Sequence, residues 1–180
     1  MSLSASSLAQ ELKTQALANA QRSGSEGDAL AALEAANFPE RKTERWKYTS
    51  LQALADGHLN AIADGEISQP LPALSEHVVT INNGQLVSHN LPDGVTLSHD
   101  GPAINGLQPP FAFYNSAVAS QPVVLTVAAN TRIEQPIHVQ IQSASDAPAH
   151  CNPRLVVVLN QGAEAAVIEH YHGQGEGLTN

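Results

Sequence analysis

The sequence predicts a mainly β protein that is preceded by an α-helical region. From about residue 77 onward, helical patterning gives way to short aliphatic runs in which apolar and polar residues alternate, which is typical of strands. Proline, glycine and asparagine separate these runs, as expected of turns. We therefore divide the chain into a helical region at residues 1–63, a linker at 64–76 with two prolines and a glycine, and a β-rich region at 77–180.

Two amphipathic helices and a shorter third one are predicted in the helical region. The first covers residues 6–22, with Ser7 as its N-cap and a thin, alanine-rich apolar stripe. Asp28 caps the second helix, which ends before Pro39 because proline disfavours helical geometry in the residue that precedes it. A short helix follows at 50–55. Since these helices have little apolar surface of their own, we expect them to pack against another part of the chain.

The β-rich region opens with a predicted hairpin. A strand at 77–81 and its return at 85–88 flank Asn82-Asn83-Gly84, which favours a tight turn because Asn and Gly accept positive φ angles. Residues 90–110 are predicted to be irregular, and 112–120 to form one or two helical turns. The remaining predicted strands lie at 123–127, 137–141, 155–159 and 165–171.

Two architectures accommodate these strands. One is a β-sandwich or jelly roll that is built from hairpins, and the other is a parallel β-helix in which each coil stacks on the preceding one. The spacing of the runs suits both, but no tight Asn-Gly or Asp-Gly turn joins the last four, which favours coils. The alternating glycines at 173–177 predict a mobile loop after the last strand.

Composition and charge narrow the function classes. The formal net charge is −9, and residues 48–180 carry all of it. An acidic surface repels phosphate backbones, so nucleic-acid binding is not expected. No apolar run approaches the length of a membrane span and the N-terminus lacks signal-peptide features, so a cytoplasmic location is expected. Aromatic residues are too few to suggest a carbohydrate-binding module with exposed ring platforms.

The most distinctive stretch is residues 38–51, and we call its central part, residues 41–48, the basic-aromatic segment. It contains the only tryptophan of the chain and four of its eight Lys and Arg residues. Trp, Tyr and Arg are the usual anchors of protein interfaces, so we predict that this segment contacts a partner. The alternative is that Trp46 anchors a polar helix to the core. The candidate partner-binding residues are Arg41, Lys42, Arg45, Trp46, Lys47 and Tyr48.

From this segment onward, the sequence resembles the SufB/SufD family of iron–sulfur cluster assembly scaffolds, and its SufD branch in particular. The resemblance begins with Glu-x-Trp-Lys-Tyr-Thr at 44–49 and continues through the predicted strand–Asn-Gly–strand unit. Further segments that carry it are Tyr-Asn-Ser-Ala at 114–117, the runs at 135–139 and 153–159, and Ile-Glu-His-Tyr at 168–171. None is specific alone, but their joint order is.

The resemblance implies a right-handed parallel β-helix and a non-enzymatic scaffold that acts with a SufB-like homologue and a SufC-like ABC-type ATPase. It implies that this chain itself binds no cofactor and that the iron–sulfur cluster belongs to the complex. Family members are more than twice as long, so we expect an N-terminal fragment, with the ATPase-docking and cluster-building positions beyond Asn180. Its last strand would leave an open β edge that is available for self-association.

Two features suggest metal chemistry instead. His170, His172 and Glu176 match part of the first cupin motif, since residues i and i+2 of a strand face the same side. A cupin-like metal-dependent protein is therefore the alternative function. Cys151, beside His150 and near Arg154, could be a thiolate ligand, although one cysteine cannot hold a cluster. The structural interpretation is that the two histidines and Glu176 lie on a solvated strand face, and that Cys151 is a small packed residue.

Most other histidines are predicted at the surface. No catalytic residue is predicted, because nucleophile and phosphate-binding motifs are absent from the sequence.

Overall fold

Two β-sheets and a group of helices make up the protein in its computed structural model. The structure describes residues 5–39, 43–55, 63–100, 110–119 and 121–179. Within these residues most helices precede residue 63 and all strands follow residue 76, as the sequence predicts. The fold is therefore mainly β with N-terminal helices, and each sheet contains both parallel and antiparallel strand pairs.

Both predicted helix caps are wrong. The first helix begins two residues before Ser7, and Asp28 lies in the first turn of the second helix, behind Glu26 at the N-cap. A carboxylate in the first turn still stabilises this end through the helix dipole. In the part of the chain that the structure describes, no helix has both the length and the apolar character needed to cross a membrane. The helices are α1 (Ala5–Arg22), α2 (Gly27–Ala35), α3 (Gln52–Ala55) and α4 (Pro110–Val118), and a 3-10 turn spans Glu44–Trp46.

The N-terminal helices share a core with α4, which lies far along the chain. Leu12, Ala16 and Ala20 of α1 are fully buried, which confirms the predicted apolar stripe. Tyr114 of α4 is fully buried in the same cluster, and Phe111 packs against it. The alanine-rich helices thus obtain from α4 the large aromatic surface that their own sequence lacks.

In the ranges that the structure describes, seven strands form the two sheets. Most of the predicted strands are found, but a further strand, β3 (Val95–Ser98), falls within 90–110, which the sequence predicts to be irregular. This strand has only four residues and is paired by a distant strand, so its local sequence gives little sign of it. The strands are β1 (His77–Asn82), β2 (Gln85–Asn90), β3 (Val95–Ser98), β4 (Val123–Val127), β5 (Ile137–Cys151), β6 (Leu155–Leu159) and β7 (Val167–Thr179).

Sheet A has the strand order β2-β1-β5-β7, and sheet B has the order β3-β4-β6. The predicted hairpin joins β1 to β2, and Asn83 and Gly84 at its turn have φ angles of 49° and 81°, as such a turn requires. Strand β5 pairs in parallel with both β1 and β7, and β4 pairs in parallel with β6. From β4 onward, the chain therefore alternates between the two sheets.

A second, aliphatic core lies between the sheets. On β5, Ile137, Val139 and Ile141 are buried in this core, as their alternation predicts. His138, which was expected at the surface, is fully buried on the opposite face of the strand. The prediction fails because residues 64–74, which the sequence assigns to a linker, lie across this face and are hydrogen-bonded to it.

Strands β5 and β7 are much longer than the sequence predicts. They pair in parallel along almost their whole length, with one irregularity between Ser145 and Ala149. Pro148, which suggests a turn, lies at this irregularity, where a missing N–H group is tolerated. The glycines at 173–177 lie in β7 and not in a mobile loop, so that prediction is wrong. Glycine has a low preference for strands, and the hydrogen bonds to β5 hold these residues in the strand conformation.

Replacing Gly175 with alanine is expected to weaken this pairing. Gly175 has a φ angle of 70°, and a Cβ atom there would collide with the carbonyl oxygen of Ser145. We expect the free energy of unfolding to fall by about 1–3 kcal/mol, as measured by urea denaturation. Gly24→Ala is the matched control, since Gly24 has a φ angle of 71° but open space around it. Equal losses in the two variants would contradict the predicted collision.

Candidate functional site: docking surfaces and buried polar groups

Trp46 of the basic-aromatic segment packs onto the helical core. Its ring centroid lies 5.4 Å from that of Phe111, and the side chain is only partly exposed. The ring of Phe111 also meets that of Phe38 edge-to-face at 5.4 Å. Trp46 therefore holds the segment against α4, which is the structural role that the sequence offers as the alternative to partner binding.

The exposed part of the segment is a cation–aromatic pair. Tyr48 is 91% exposed, and the ammonium group of Lys47 lies 4.9 Å from the centroid of its ring. Arg45 is exposed beside them. Since exposed Tyr and Arg side chains are typical interface anchors, partner binding stays a prediction for these residues. The other two candidates, Arg41 and Lys42, lie outside the described residues.

The cupin-like candidates lie along β7. His170 and His172 share one face of the strand, and Glu176 is exposed further along it. The ring of His170 stacks on that of His138 in β5, with 5.5 Å between the ring centroids and 28° between the planes. Among the residues that the structure describes, no three His, Cys, Asp or Glu side chains are grouped so that they could hold a metal ion.

Cys151 lies at the end of β5 and is fully buried. It forms a small apolar cluster with Ala63 and Ala149. Arg154 lies in the loop that follows the cysteine, and its guanidinium group donates to the Ser116 hydroxyl at 3.0 Å. Reactive thiolates are usually accessible to solvent. The buried position of Cys151 therefore favours its interpretation as a small packed residue over its interpretation as a thiolate ligand.

A chain of buried polar side chains joins the helices to sheet A. The Asn19 amide of α1 donates to the Tyr114 hydroxyl of α4 at 2.9 Å, and this hydroxyl lies 2.6 Å from His150 Nε2 in β5. Burial raises the pKa of Tyr114 to about 12, so the hydroxyl keeps its proton and can donate it to His150. Nothing in the sequence pairs these three residues; the only signal is that buried tyrosines usually find a polar partner.

His138 lies under residues 64–74, whose Leu74 N–H donates to its Nδ1 atom at 3.1 Å. Because Nδ1 accepts this bond, the proton of the neutral ring is assigned to Nε2. Burial, and secondly the neighbouring His170, lower the pKa of His138 below its usual value of 6.5. The imidazole is therefore neutral in the folded protein near neutral pH.

Acidification is expected to destabilise the protein through His138. The pKa of His138 is lower in the folded chain than in the unfolded chain. Below about pH 6.5 the unfolded chain therefore binds more protons than the folded chain, and the free energy of unfolding decreases as the pH decreases. Urea denaturation between about pH 5 and 8 should therefore show a flatter pH dependence for His138→Gln than for the unchanged protein. His89→Gln, at an exposed position of β2, is the control. An unchanged pH slope in His138→Gln would contradict this assignment.

Strands β6 and β7 repeat the arrangement of β4 and β5, one strand further along sheet B and sheet A respectively. Strand β6 lies in parallel beside β4, β7 lies in parallel beside β5, and an isolated parallel bridge joins Arg132 to Glu164 in the connections between them. On the other side, β6 is the edge of sheet B and β7 the edge of sheet A within the described residues. We call these two edge strands together the open edge.

The open edge exposes side chains that face inward elsewhere. Leu159 is 49% exposed and Tyr171 is 55% exposed. Their neighbours in register are Val127 in β4 and Ile141 in β5, and both are buried in the core between the sheets. The inner face of the strand layers thus continues onto the open edge, where no described segment of the chain covers these side chains.

A groove of about 560 Å³ lies between α4 and the open edge. Phe111 and Leu155 contribute apolar walls, and Glu169 and Tyr171 contribute polar groups. The Tyr171 hydroxyl donates to Glu169 Oε2 at 2.6 Å. Burial, together with the hydrogen bond to Glu169 and its charge, raises the pKa of Tyr171 to about 12. The groove is suited to binding a complementary surface, and its α4 wall could not be located from the sequence.

Comparison with known proteins identifies no family for this chain. No protein-family model matches it, and no curated protein matches it. The motif resemblance found in the sequence therefore remains an expectation.

Proposed function

We propose that this chain is a non-enzymatic scaffold subunit of an iron–sulfur cluster assembly complex, as its resemblance to the SufB/SufD family implies. The observation that carries the proposal is the open edge at the end of two stacked strand layers. Two adjacent edge strands with half-exposed aliphatic and aromatic side chains form a surface that a second β-rich chain can extend by strand pairing. Such a surface is suited to assembly rather than to catalysis.

We also propose that the stacked layers are the opening coils of a parallel β-helix. The parallel pairs β4–β6 and β5–β7, and the alternation of the chain between the sheets, support coils. A jelly roll would instead place antiparallel strands side by side. The right-handed sense of the coils rests on the family resemblance.

The partner that we propose for the open edge is a homologous, SufB-like scaffold, which would bind here in addition to the cluster-building positions that the resemblance implies. Backbone groups of β6 and β7 would supply hydrogen bonds, while Leu159 and Tyr171 would supply apolar contact. A SufC-like ABC-type ATPase would be the second partner in the complex, as the resemblance implies. In this arrangement iron and sulfur are the cargo of the complex, and this chain contributes binding surface.

Purification from the source cell under native conditions tests the proposal. A tag at the N-terminus of the native gene product should recover a homologous scaffold and an ABC-type ATPase, both identified by mass spectrometry. Leu159→Glu should reduce recovery of the scaffold, because a buried carboxylate at the open edge would be costly. Val87→Glu is the matched control, since Val87 is an exposed aliphatic residue on β2, at the other edge of sheet A.

The contrary outcome is equally specific. If the protein is recovered without partners but with stoichiometric divalent metal, the scaffold proposal fails and the cupin-like alternative gains support. Loss of that metal in His172→Ala would then assign it to β7.

A further inference from the structure

A segment without regular secondary structure lies across the outer face of sheet A. We call residues 63–74 the strap. The Ala63 N–H donates to the His150 carbonyl at 2.8 Å, and the Gly65 N–H donates to the Ala144 carbonyl at 2.9 Å. At the other end, the Leu74 N–H donates to His138 Nδ1. The strap therefore runs antiparallel to β5 from one end of the strand to the other.

Two glutamines of β5 bind the main chain at the centre of the strap. Gln142 Oε1 accepts from the Leu71 N–H at 3.1 Å. Gln140 Nε2 donates to the carbonyls of Leu71 and Pro72 at 3.1 and 3.2 Å. Leu71 is thus held at both its N–H and its C=O, as in a β-ladder, but by side-chain amides instead of a neighbouring backbone.

A third glutamine extends this pattern onto β7. Gln174 Oε1 accepts from the Ser68 N–H at 3.2 Å and from its hydroxyl at 2.8 Å. The Nε2 atom of the same side chain donates to the Gln69 carbonyl at 3.1 Å. The three side chains share one face of sheet A, which we call the glutamine face (Gln140, Gln142 and Gln174).

Neighbouring residues of β1 orient two of these amides. The Thr80 hydroxyl donates to Gln140 Oε1 at 3.3 Å, which leaves the Gln140 amide nitrogen to face the strap. Gln142 Nε2 donates to Asn82 Oδ1 at 3.2 Å, which leaves the Gln142 amide oxygen to face the strap. The sheet therefore presents a donor and an acceptor in fixed order, and it would do so for any segment laid along the same path.

The prolines of the strap match this order. Pro70 and Pro72 have no N–H group, so Leu71 supplies the one amide donor in this triplet, and Gln142 accepts from it. An N–H at either position would add a second donor to the triplet, whereas Gln140 presents its amide nitrogen there and only Gln142 Oε1 accepts from this triplet. The glutamine face is thus complementary to an extended Pro-x-Pro segment through main-chain groups, whatever the identity of x.

Hydrogen bonds hold the strap more than apolar burial does. Pro70, Pro72 and Leu74 are exposed, and among the strap residues only Ala63, at its first position, belongs to a buried apolar cluster in the described part of the chain. Each hydrogen bond contributes little net stability because water replaces it when the strap lifts. Segments held in this way open locally before the core does.

We propose that the glutamine face is a binding groove for extended Pro-x-Pro segments, and that the strap occupies it as an exchangeable intramolecular ligand. A partner would bind by presenting such a segment in place of the strap, with its main-chain groups hydrogen-bonded to the glutamine amides. This inference is independent of the scaffold proposal, since it concerns the outer face of sheet A and not the open edge.

The test uses the intact chain and a synthetic peptide with the sequence of residues 67–75, ISQPLPALS. Hydrogen exchange measured by mass spectrometry should show that excess peptide accelerates exchange in the strap, about tenfold or more, without changing β1 or β5. Gln140→Met with Gln142→Met should accelerate strap exchange without peptide and abolish the response to it. Gln135→Met, at an exposed loop position, is the matched control.

Three results would overturn the proposal. A peptide that does not change strap exchange and does not bind, by fluorescence anisotropy of a labelled copy, would make the strap a fixed part of the fold. A peptide with both prolines replaced by alanine that acts equally well would remove the Pro-x-Pro specificity. Accelerated exchange throughout β1 and β5 in the double glutamine variant would show that the strap does not open separately.

Discussion

Replacing Tyr114 with alanine is expected to lower the free energy of unfolding by about 3–5 kcal/mol, the usual cost of removing a large buried aromatic side chain. Tyr114 is fully buried, and its ring fills the core between α4 and the N-terminal helices. The same substitution also removes the hydroxyl that lies between Asn19 and His150. Helical packing and the link to sheet A would therefore be lost together.

Tyr114→Phe separates these two contributions. The phenylalanine ring keeps the packing, whereas Asn19 and His150 both lose the buried hydroxyl between them. We expect a loss of about 1–3 kcal/mol, since buried polar groups that are deprived of a partner are costly. The comparison is between the urea midpoints of Tyr114→Phe and Tyr114→Ala.

Tyr48 provides the control for both changes. It is 91% exposed, so Tyr48→Phe and Tyr48→Ala should shift stability by no more than about 0.5 kcal/mol. If Tyr114→Phe were as stable as the unchanged protein, the Asn19–Tyr114–His150 chain would not contribute to stability. The helices would then depend on the aromatic packing alone.

The second large effect is expected at Leu125. This residue of β4 is fully buried between the sheets, and Leu125→Ala should cost about 2–5 kcal/mol in free energy of unfolding. Leu159→Ala deletes the same atoms one strand further on, where the side chain is 49% exposed. Its cost in the isolated chain should be clearly smaller, since less apolar surface returns to water and little cavity forms.

The same pair of variants tests whether the open edge is covered by another chain. Binding of a partner or a second copy to β6 and β7 would bury Leu159, so Leu159→Ala would then weaken association while Leu125→Ala would not do so specifically. Urea denaturation and the concentration dependence of sedimentation measure the two effects separately. Equal stability losses in the two variants at low concentration would show that Leu159 is already buried.

The strands β1, β4 and β6 could be predicted from the sequence because their signals are local. Each is a short run of β-branched and aliphatic residues between turn-forming residues, and the Asn83-Gly84 turn carries its own conformational preference. The apolar stripe of α1 was also predictable, since helical periodicity depends only on neighbouring positions. Strand β3 and the second halves of β5 and β7 were not, because distant strands supply their hydrogen bonds.

The candidate sites divide in the same way. The composition of the basic-aromatic segment and the shared face of His170 and His172 are visible in the sequence. The burial of Trp46 against Phe111, and of His138 beneath the strap, is not visible there. Both depend on segments that are far away along the chain, and no local pattern says which surface such a segment will cover.

The sequence by itself determined the order of helices and strands, the inward-facing residues of β5 and the hairpin turn, because these follow from periodicity and backbone preference. Only the tertiary structure decided that the presumed linker is a strap, that glycines extend β7, and that Tyr114 joins the helices to His150. The physical reason is that hydrogen bonds between distant segments can satisfy backbone and side-chain groups in conformations for which the local sequence has only a weak preference.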